Sequence, residues 1–267
     1  MHLTTLAILA LIQGITEFLP VSSSGHLILF PQLTGSQDQG IAVDVAVHFG
    51  TLFAVILFFR SDVADAVAGA FDILRGRLKT ANARLAGLLI LATIPVIVAG
   101  AILKMTGLSD ALRDIRVIAW AMIIFGIALY WFDKNAPAVR TAGSWSPKDA
   151  VIMGFWQMLA LIPGTSRSGA TITGARQLGF DRKDGAKLAM LMSIPTILAS
   201  ASLIGLDVVN GDEAINVRDL VIAAILAFGA ALLALKLMMQ LLNSFSFTPY
   251  VIYRLALGAV LLWIAYG

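Results

Sequence analysis

The sequence predicts an all-α polytopic membrane protein with an inverted-topology repeat, in which each copy is one re-entrant hairpin followed by three transmembrane helices. Of the 267 residues, 59% are hydrophobic and only 13% are charged, about half of the roughly 25% charged residues of ordinary soluble domains. Uncharged apolar runs long enough to cross a bilayer recur along the chain. Two polar motifs also resemble one another. These observations exclude a soluble globular domain.

Six apolar segments are long enough to span a bilayer, and the chain is predicted to be a single membrane-embedded domain, 1–267. The predicted spans are about 41–59, 85–103, 117–132, 188–206, 220–242 and 250–266. No cleavable signal peptide is expected, because the first apolar run contains Gln13 and Glu17 and lacks a basic start. The absence of cysteine excludes disulfide scaffolds, thiolate zinc sites and cysteine nucleophiles.

Two further apolar runs, 3–19 and 150–163, each lead into a proline and then a stretch rich in Ser, Thr and Gly. Irregular polar backbone is tolerated at membrane depth only where it is buried in protein or faces a water-filled cavity. Both runs are therefore predicted to form re-entrant hairpins.

The two hairpins align with an offset of 144 residues, which indicates an internal repeat. The offset places Gln13 on Gln157, Ser22 on Ser166, Ser24 on Ser168 and Gly25 on Gly169. The first copy is predicted at about 1–134 and the second at about 148–267. Because each copy has an odd number of spans, the second copy would enter the bilayer inverted.

The basic residues give an independent prediction of sidedness. Fourteen of the 19 Lys and Arg residues lie in segments predicted inside, at 60–84, 133–149, 174–187 and 236–254. Four lie in segments predicted outside, at 31–40, 104–116 and 207–219. The positive-inside rule then places both termini outside. The remaining basic residue, Arg167, lies in the tip of the second hairpin.

An arginine at membrane depth costs roughly 2.5–3.5 kcal/mol on insertion scales, so Arg167 needs a partner. It lies among glycines and hydroxyl residues that would expose backbone N–H groups and O–H groups to an anion where a helix begins. These candidate substrate-binding residues are Gly164, Thr165, Ser166, Ser168 and Thr171. The alternative is that Arg167 only pairs with Glu17 as a structural tie between the copies.

The first hairpin tip adds groups that could carry chemistry. Gln13 and Glu17 share one helix face, and a loop with Ser22, Ser23, Ser24, Gly25 and His26 follows. Ser22, Ser24 and Gly25 are further candidate substrate-binding residues. A carboxylate, a hydroxyl and an imidazole match the parts of a nucleophile with acid/base groups. The carboxylate could equally hold a divalent cation together with phosphate oxygens. The alternatives are a serine-rich loop that satisfies its own backbone and a histidine that only packs.

Two other pairs of residues allow a functional and a structural interpretation. Asp44 and His48 are spaced i, i+4 at the start of the second segment, where they either line an outer vestibule or form an intrahelical pair. Tyr253 and Arg254 begin the last span, and their side chains are predicted to snorkel to the inner membrane interface.

The segments Gln13–His26 and Pro163–Thr171 resemble the two signature motifs of the bacterial undecaprenyl-pyrophosphate phosphatases of the bacitracin-resistance type. The resemblance covers essentially the whole chain and includes Asp44–Thr51. It implies hydrolysis of undecaprenyl pyrophosphate to undecaprenyl phosphate and inorganic phosphate, which recycles the lipid carrier for peptidoglycan synthesis. It also implies a multi-pass protein of the bacterial cytoplasmic (inner) membrane, with the site facing outside, and dependence on a divalent cation, Mg²⁺ or Ca²⁺.

By this resemblance, Glu17, His26 and Arg167 are expected to be catalytic, with Arg167 also binding pyrophosphate together with Ser166 and Thr171. Ser23 is the favoured nucleophile and His26 the other candidate. The metal is expected at Glu17 with Gln13. Gln13 stands at the first position of the family's paired-acid motif, so two carboxylates cannot be assumed there. His48 stands where many relatives have Gln, which makes an essential role for it doubtful.

The competing function is a transporter or flippase of a lipid phosphate or small anion, because inverted repeats with re-entrant hairpins also build transporters. Glu17 and His26 favour hydrolysis, since an anion carrier gains nothing from a carboxylate beside a negative substrate. The expected partners are the polyprenyl pyrophosphate lipid and the bilayer. The net charge of +3 is topological and does not indicate nucleic acid. A homodimer is left open.

Overall fold

A computed structural model describes residues 3–35, 40–209 and 216–267, and the regular structure of this part is helical. The helices before residue 136 are α1 (Leu3–Thr16), α2 (Ser23–Thr34), α3 (Ile41–Phe58), α4 (Arg60–Leu74), α5 (Ala81–Thr106), α6 (Leu108–Ala111) and α7 (Ile115–Asn135). The later helices are α8 (Pro147–Leu159), α9 (Arg167–Gln177), α10 (Arg182–Val209), α11 (Val217–Leu241) and α12 (Thr248–Tyr266). A 3₁₀ turn, Ala142–Ser144, precedes α8.

The long apolar helices make this a multi-pass membrane protein, as the sequence predicts. Five helices of the described residues are long and apolar enough to cross a bilayer, namely α5, α7, α10, α11 and α12. A sixth span is formed if α3 and α4, which meet at 95°, are one bent span. The predicted all-α class is therefore confirmed, and each of the six predicted segments lies in a helix.

The segment 60–84, predicted only as an inside loop, contains the helix α4 instead. This helix packs along α5, and Gly69 allows the close approach because any Cβ there would collide with the backbone of Asn82. Apolar side chains of α4, among them Val67 and Phe71, are exposed. An amphipathic helix of this kind suits the boundary between headgroups and acyl chains, and its mixed composition hides it from a search for uncharged runs.

Both predicted hairpins form as two helices joined by an irregular tip, α1–α2 around 17–22 and α8–α9 around 160–166. The tips share an unusual backbone conformation. Ser22 has φ 72° and Ser166 has φ 69°, and among the described residues these two alone combine a side chain with a positive φ. L residues seldom occupy this region. The two serines are 144 residues apart, so two residues that align in the sequence repeat also share a backbone conformation.

Each hairpin packs on a helix that follows the other hairpin in the chain. Helix α1 lies against α11, and α8 lies against α5. A glycine allows close backbone contact in both places: a Cβ at Gly14 would stand 2.6 Å from the Ala227 carbonyl oxygen, and one at Gly154 would stand 2.6 Å from that of Ala92. In the middle, α3 packs on α10 and α7 on α12. This crossed packing brings the two hairpin tips to the same place.

Candidate active site

The two hairpin tips are tied directly to each other. The Gly164 N–H donates to Ser24 Oγ at 3.2 Å, and Ser168 Oγ donates to the Leu19 carbonyl oxygen at 3.0 Å. Ser24 and Ser168, both predicted to bind substrate, are equivalent in the repeat and hold the tips together here.

Glu17 lies at the centre of the contact between the tips, and its carboxylate is nearly buried. Its Oε1 accepts a hydrogen bond from Arg167 Nη2 at 2.5 Å. Its Oε2 accepts from Gln13 Nε2 at 2.7 Å and from Ser23 Oγ at 3.1 Å. The structure therefore brings the candidate nucleophile Ser23, an acceptor for its proton and the candidate anion-binding arginine into one cluster.

The guanidinium of Arg167 is held from two sides. Besides the ion pair with Glu17, its Nη1 donates to the Ser193 carbonyl oxygen of α10 at 3.0 Å. Arg167 is also the first residue of α9, so the positive end of that helix lies beside the charged group. The ion pair across the copies exists, as the structural alternative requires, and the arginine still faces open space.

That open space is a cavity of about 170 Å³ between the two tips. Its lining is formed by Glu17, Ser22, Ser23, Ser24, His48, Ala160, Ser166 and Arg167. The cavity thus presents a carboxylate, an arginine and several hydroxyl groups to one small volume. Six of these eight residues are among those predicted from the sequence.

A second cavity, of about 280 Å³, shares Glu17, His48 and Arg167 with the first and extends to Asp44 and Arg113. His48 Nδ1 donates to the Asp44 carbonyl oxygen at 2.7 Å, so Nε2 is free to accept from Gln13 Nε2 at 3.1 Å. His48 is thus bound to Asp44 within α3, and both residues line a cavity at the site.

His26 is turned away from Glu17 and Ser23. Its Nδ1 donates to the Ser22 carbonyl oxygen at 2.7 Å, and its Nε2 accepts from Tyr253 Oη at 2.6 Å. The two rings are stacked, with centroids 5.5 Å apart. The hydrogen bonds of this histidine therefore go to its own loop and to α12. Tyr253 is a neighbour of the site that sequence reasoning missed.

The other predicted substrate-binding residues make hydrogen bonds or close packing contacts within the tips. Thr171 Oγ1 donates to the Arg167 carbonyl oxygen at 2.8 Å, while Thr165 is fully buried. Ser166 caps α9 by accepting from the Gly169 N–H at 3.1 Å. Gly25 and Gly164 let the tips pack on α7, where a Cβ would collide with Met122 and Ile118 respectively.

Arg254 is the second residue that sequence reasoning missed, and the snorkelling interpretation of it is wrong. It is fully buried. Its Nη2 donates to the carbonyl oxygens of Gly164 at 3.1 Å and Thr165 at 2.8 Å, and its Nε donates to that of Met122 at 3.2 Å. An arginine near the start of a span can extend to the membrane interface or turn into the protein, and the sequence alone does not show which of the two occurs.

The residues predicted to hold a metal, Gln13 and Glu17, do not form a divalent-cation site by themselves. Both carboxylate oxygens of Glu17 already accept hydrogen bonds, and Gln13 turns its amide nitrogen toward them. No group of three or more His, Asp or Glu side chains with metal-binding spacing occurs among the described residues. Mg²⁺ and Ca²⁺ need about six or more oxygen ligands, so most of the ligands would have to come from substrate and water.

Comparison with known proteins identifies the family of this chain. Residues 6–260 match the family described as Bacitracin resistance protein BacA. The chain belongs to this family. It is 61% identical to the undecaprenyl-diphosphatase of Dinoroseobacter shibae and 63% identical to that of Ruegeria pomeroyi, in both cases over 100% of each chain. It is 45% identical to undecaprenyl-diphosphatase 2 of Stutzerimonas stutzeri over 98% of each chain. The resemblance carried by the two hairpin motifs is confirmed.

Proposed function

We propose that this BacA-family protein is an undecaprenyl-diphosphatase, which hydrolyses undecaprenyl pyrophosphate to undecaprenyl phosphate and inorganic phosphate. The observation that carries the proposal is the Glu17 carboxylate, bonded at once to the Ser23 hydroxyl and to the Arg167 guanidinium in a cavity between the hairpins. Full-length relatives that bear this name support the same substrate.

Binding is proposed to begin with an exchange of partners at Arg167. A pyrophosphate offers planar, bidentate oxygen pairs to a guanidinium, which a single carboxylate oxygen does not match. When the substrate takes over Arg167, Glu17 loses its counter-charge and becomes a stronger proton acceptor. The Ser166 and Ser22 side chains line the same cavity and are available to the remaining phosphate oxygens.

The chemical steps then follow from the two partners of Glu17. Glu17 Oε2 takes the proton of Ser23 Oγ while Ser23 attacks the terminal phosphorus. The bond from that phosphorus to the bridging oxygen breaks, and the lipid monophosphate leaves. Water then attacks the phosphorus of the phosphoserine, and the bond from that phosphorus to Ser23 Oγ breaks. The proton held by Glu17 returns to Ser23 Oγ, and the oxygen and protons of the water leave with the inorganic phosphate. Arg167 and the N-terminus of α9 stabilise the charge on the transferred group.

Among the two candidate nucleophiles we favour Ser23 over His26. Ser23 already donates to a carboxylate at 3.1 Å, whereas both ring nitrogens of His26 are engaged elsewhere. A divalent cation, Mg²⁺ or Ca²⁺, stays a prediction. It would take Glu17 as its protein ligand and obtain the rest of its ligands from phosphate oxygens and water.

The proposal places the protein in the bacterial inner membrane with the active site facing outside and the two copies inverted. The basic residues support this: the burial of Arg254 removes one residue from the inside segments and leaves thirteen against four. A cysteine replacing Asn135 should react with an impermeant thiol reagent only after permeabilisation, and reaction in intact cells would contradict the sidedness. Ser36 and Gly211, the positions predicted on the outer side of the membrane, are not among the described residues.

A homodimer is proposed as one oligomeric form, and the mass of the purified particle tests it.

The function is tested by phosphate release from undecaprenyl pyrophosphate, or a shorter prenyl pyrophosphate, by the purified protein with and without a chelator. Wild-type protein should release phosphate, and Ser23→Ala should lose turnover by about two to four orders of magnitude while still binding the lipid. The exposed Lys134→Ala serves as control. Transfer of the lipid across a vesicle membrane without phosphate release would contradict hydrolysis and support the transporter. An acid-labile adduct on the trapped protein would identify His26 as the nucleophile.

A further inference from the structure

Arg254 is a fully buried arginine that has no role in the proposed hydrolysis steps. Its guanidinium donates to three carbonyl oxygens, two of them in the tip of the second hairpin. No carboxylate lies within ion-pair distance of it in the part of the chain that the structure describes. Its Nη1 is buried and has no hydrogen-bond partner among these residues. A buried charge left without a counter-charge is costly and calls for an explanation.

The repeat supplies a comparison that separates packing from charge. In the second hairpin, Arg254 Nη1 lies 2.7 Å from where a Cβ on Gly169 would stand. In the first hairpin, Met122 Sδ lies 2.9 Å from where a Cβ on Gly25 would stand. Gly25 and Gly169 are equivalent by the offset of 144 residues, and α7 and α12 are the helices that pack against each other. An uncharged side chain of similar length therefore fills this place in the first copy.

A second buried arginine shows what a structural charge looks like in this protein. Arg176, at the other end of α9, is 1% exposed. Its Nε donates to Asp133 Oδ1 at 3.1 Å, so its charge is compensated. Arg254 lacks such a partner, although it is equally buried. Packing and ion pairing thus both fail to account for the positive charge at residue 254.

The contacts of Arg254 also orient the backbone of the tip. Because Arg254 Nη2 binds the Thr165 carbonyl oxygen, the trans peptide turns the following N–H, that of Ser166, to the opposite side. Ser166 lines the cavity between the tips. Arg254 therefore contacts the carbonyl side of the Thr165–Ser166 peptide group, and the N–H of that group points away from Arg254.

We propose that Arg254 is a positioning residue whose charge is compensated by the bound pyrophosphate and which makes the site prefer a diphosphate to a monophosphate ester. The inference rests on the proposed function for the identity of the ligand. The field of a buried charge is weakly screened, so each additional negative charge on the ligand gains from it. Arg167 contacts the ligand, whereas Arg254 acts on it at a distance, by its charge, from behind the tip.

The test is ligand binding in a Ser23→Ala background, which measures affinity without turnover. The probes are farnesyl pyrophosphate and farnesyl phosphate, which share one chain and differ by a phosphoryl group. Arg254→Met copies the residue of the first copy. This variant should keep the helical circular-dichroism spectrum of the wild type. Its affinity for farnesyl pyrophosphate should fall by about tenfold more than its affinity for farnesyl phosphate. Equal losses for both probes, or no loss, would overturn the proposal.

Two further variants keep the inference falsifiable if Arg254→Met folds poorly. Arg254→Lys retains the charge but loses the paired carbonyl contacts, so it should retain the preference for pyrophosphate. Loss of the preference in this variant would show that charge is not responsible. Arg176→Met, the matched control, should lower the melting temperature and leave the ratio of the two affinities unchanged. If wild-type protein binds both probes with this preference but releases no phosphate, the proposed function fails, and the affinities of the Arg254 variants still decide the inference.

Discussion

Replacing Glu17 with Gln tests the exchange of partners at Arg167 because it removes the charge and keeps the shape. The carboxylate accepts hydrogen bonds from Arg167 at 2.5 Å, from Gln13 at 2.7 Å and from Ser23 at 3.1 Å. An amide keeps one acceptor oxygen and cannot take a proton from Ser23. Glu17→Gln is therefore expected to leave Arg167 without a counter-charge and Ser23 without a base.

The structure allows both consequences to be sized. The side chains of Glu17 and Arg167 are 6% and 17% exposed, so the pair is largely shielded from water. Removing one partner of a buried ion pair costs about 3–5 kcal/mol. The lower end, about 3 kcal/mol, applies here because Arg167 keeps its bond to Ser193 and still reaches water. Loss of a general base lowers kcat by about 10²–10⁴-fold.

Thermal unfolding in detergent, with and without farnesyl pyrophosphate, provides the assay. Glu17→Gln should unfold at a lower temperature than wild type when ligand is absent. Added ligand should raise its melting temperature by more than it raises that of wild type, because the pyrophosphate replaces the missing carboxylate at Arg167. Binding should be at least as tight as in wild type while turnover is lost. Binding weakened tenfold or more would refute the exchange and show that Glu17 holds the ligand, directly or through a metal.

Three other outcomes are expected. Arg167→Lys should recover little of the turnover lost in Arg167→Ala, because an ammonium lacks the planar fork; full activity would contradict bidentate binding. Gln13→Glu should stay active but reach half-maximal rate at a lower Mg²⁺ or Ca²⁺ concentration, measured by titration after chelation, because it adds a carboxylate. Burial alone would raise the pKa of Asp149, but hydrogen bonds from Arg140 and Ser146 outweigh it and the pKa is lowered. The stability that ionised Asp149 adds is fully present above its unfolded pKa of about 3.9 and declines as the pH falls toward the lowered pKa of the folded state. Asp149→Asn should therefore flatten the fall in melting temperature as the pH is lowered from about 5 to about 3.

The positions of the hairpins could be predicted because their motifs conflict with the rest of the chain. A proline followed by serines and glycines has no place in an apolar helix unless it is shielded from lipid. The family resemblance of the two motifs then implied that Glu17, Ser23 and Arg167 serve one site. Glu17, Ser23 and Arg167 do meet, since polar groups at membrane depth have few partners other than one another.

The orientation of side chains on the spans could not be predicted in the same way. His26 is close in sequence to Ser23 and Glu17, but its ring is bound to Tyr253, which is 227 residues away. Arg254 follows Tyr253 directly and turns inward. The pattern of apolar residues shows that a helix meets lipid, but it does not show which helix covers the other face. That information depends on the packing of α7 against α12.

The crossed packing also constrains how the chain is assembled during synthesis. Helix α1 rests on α11, which the ribosome makes about 200 residues later, roughly 10–40 s at ordinary elongation rates. Until then the first hairpin lacks its docking surface on α11, and Glu17 has no ion-pair partner until Arg167 is made, 150 residues after it. A nascent chain arrested before α11 should therefore leave a cysteine at Ala10 open to thiol reagents, although Ala10 is fully buried in the finished fold. Protection in the arrested chain would mean that the insertion machinery, or the bilayer itself, shelters the half-made protein.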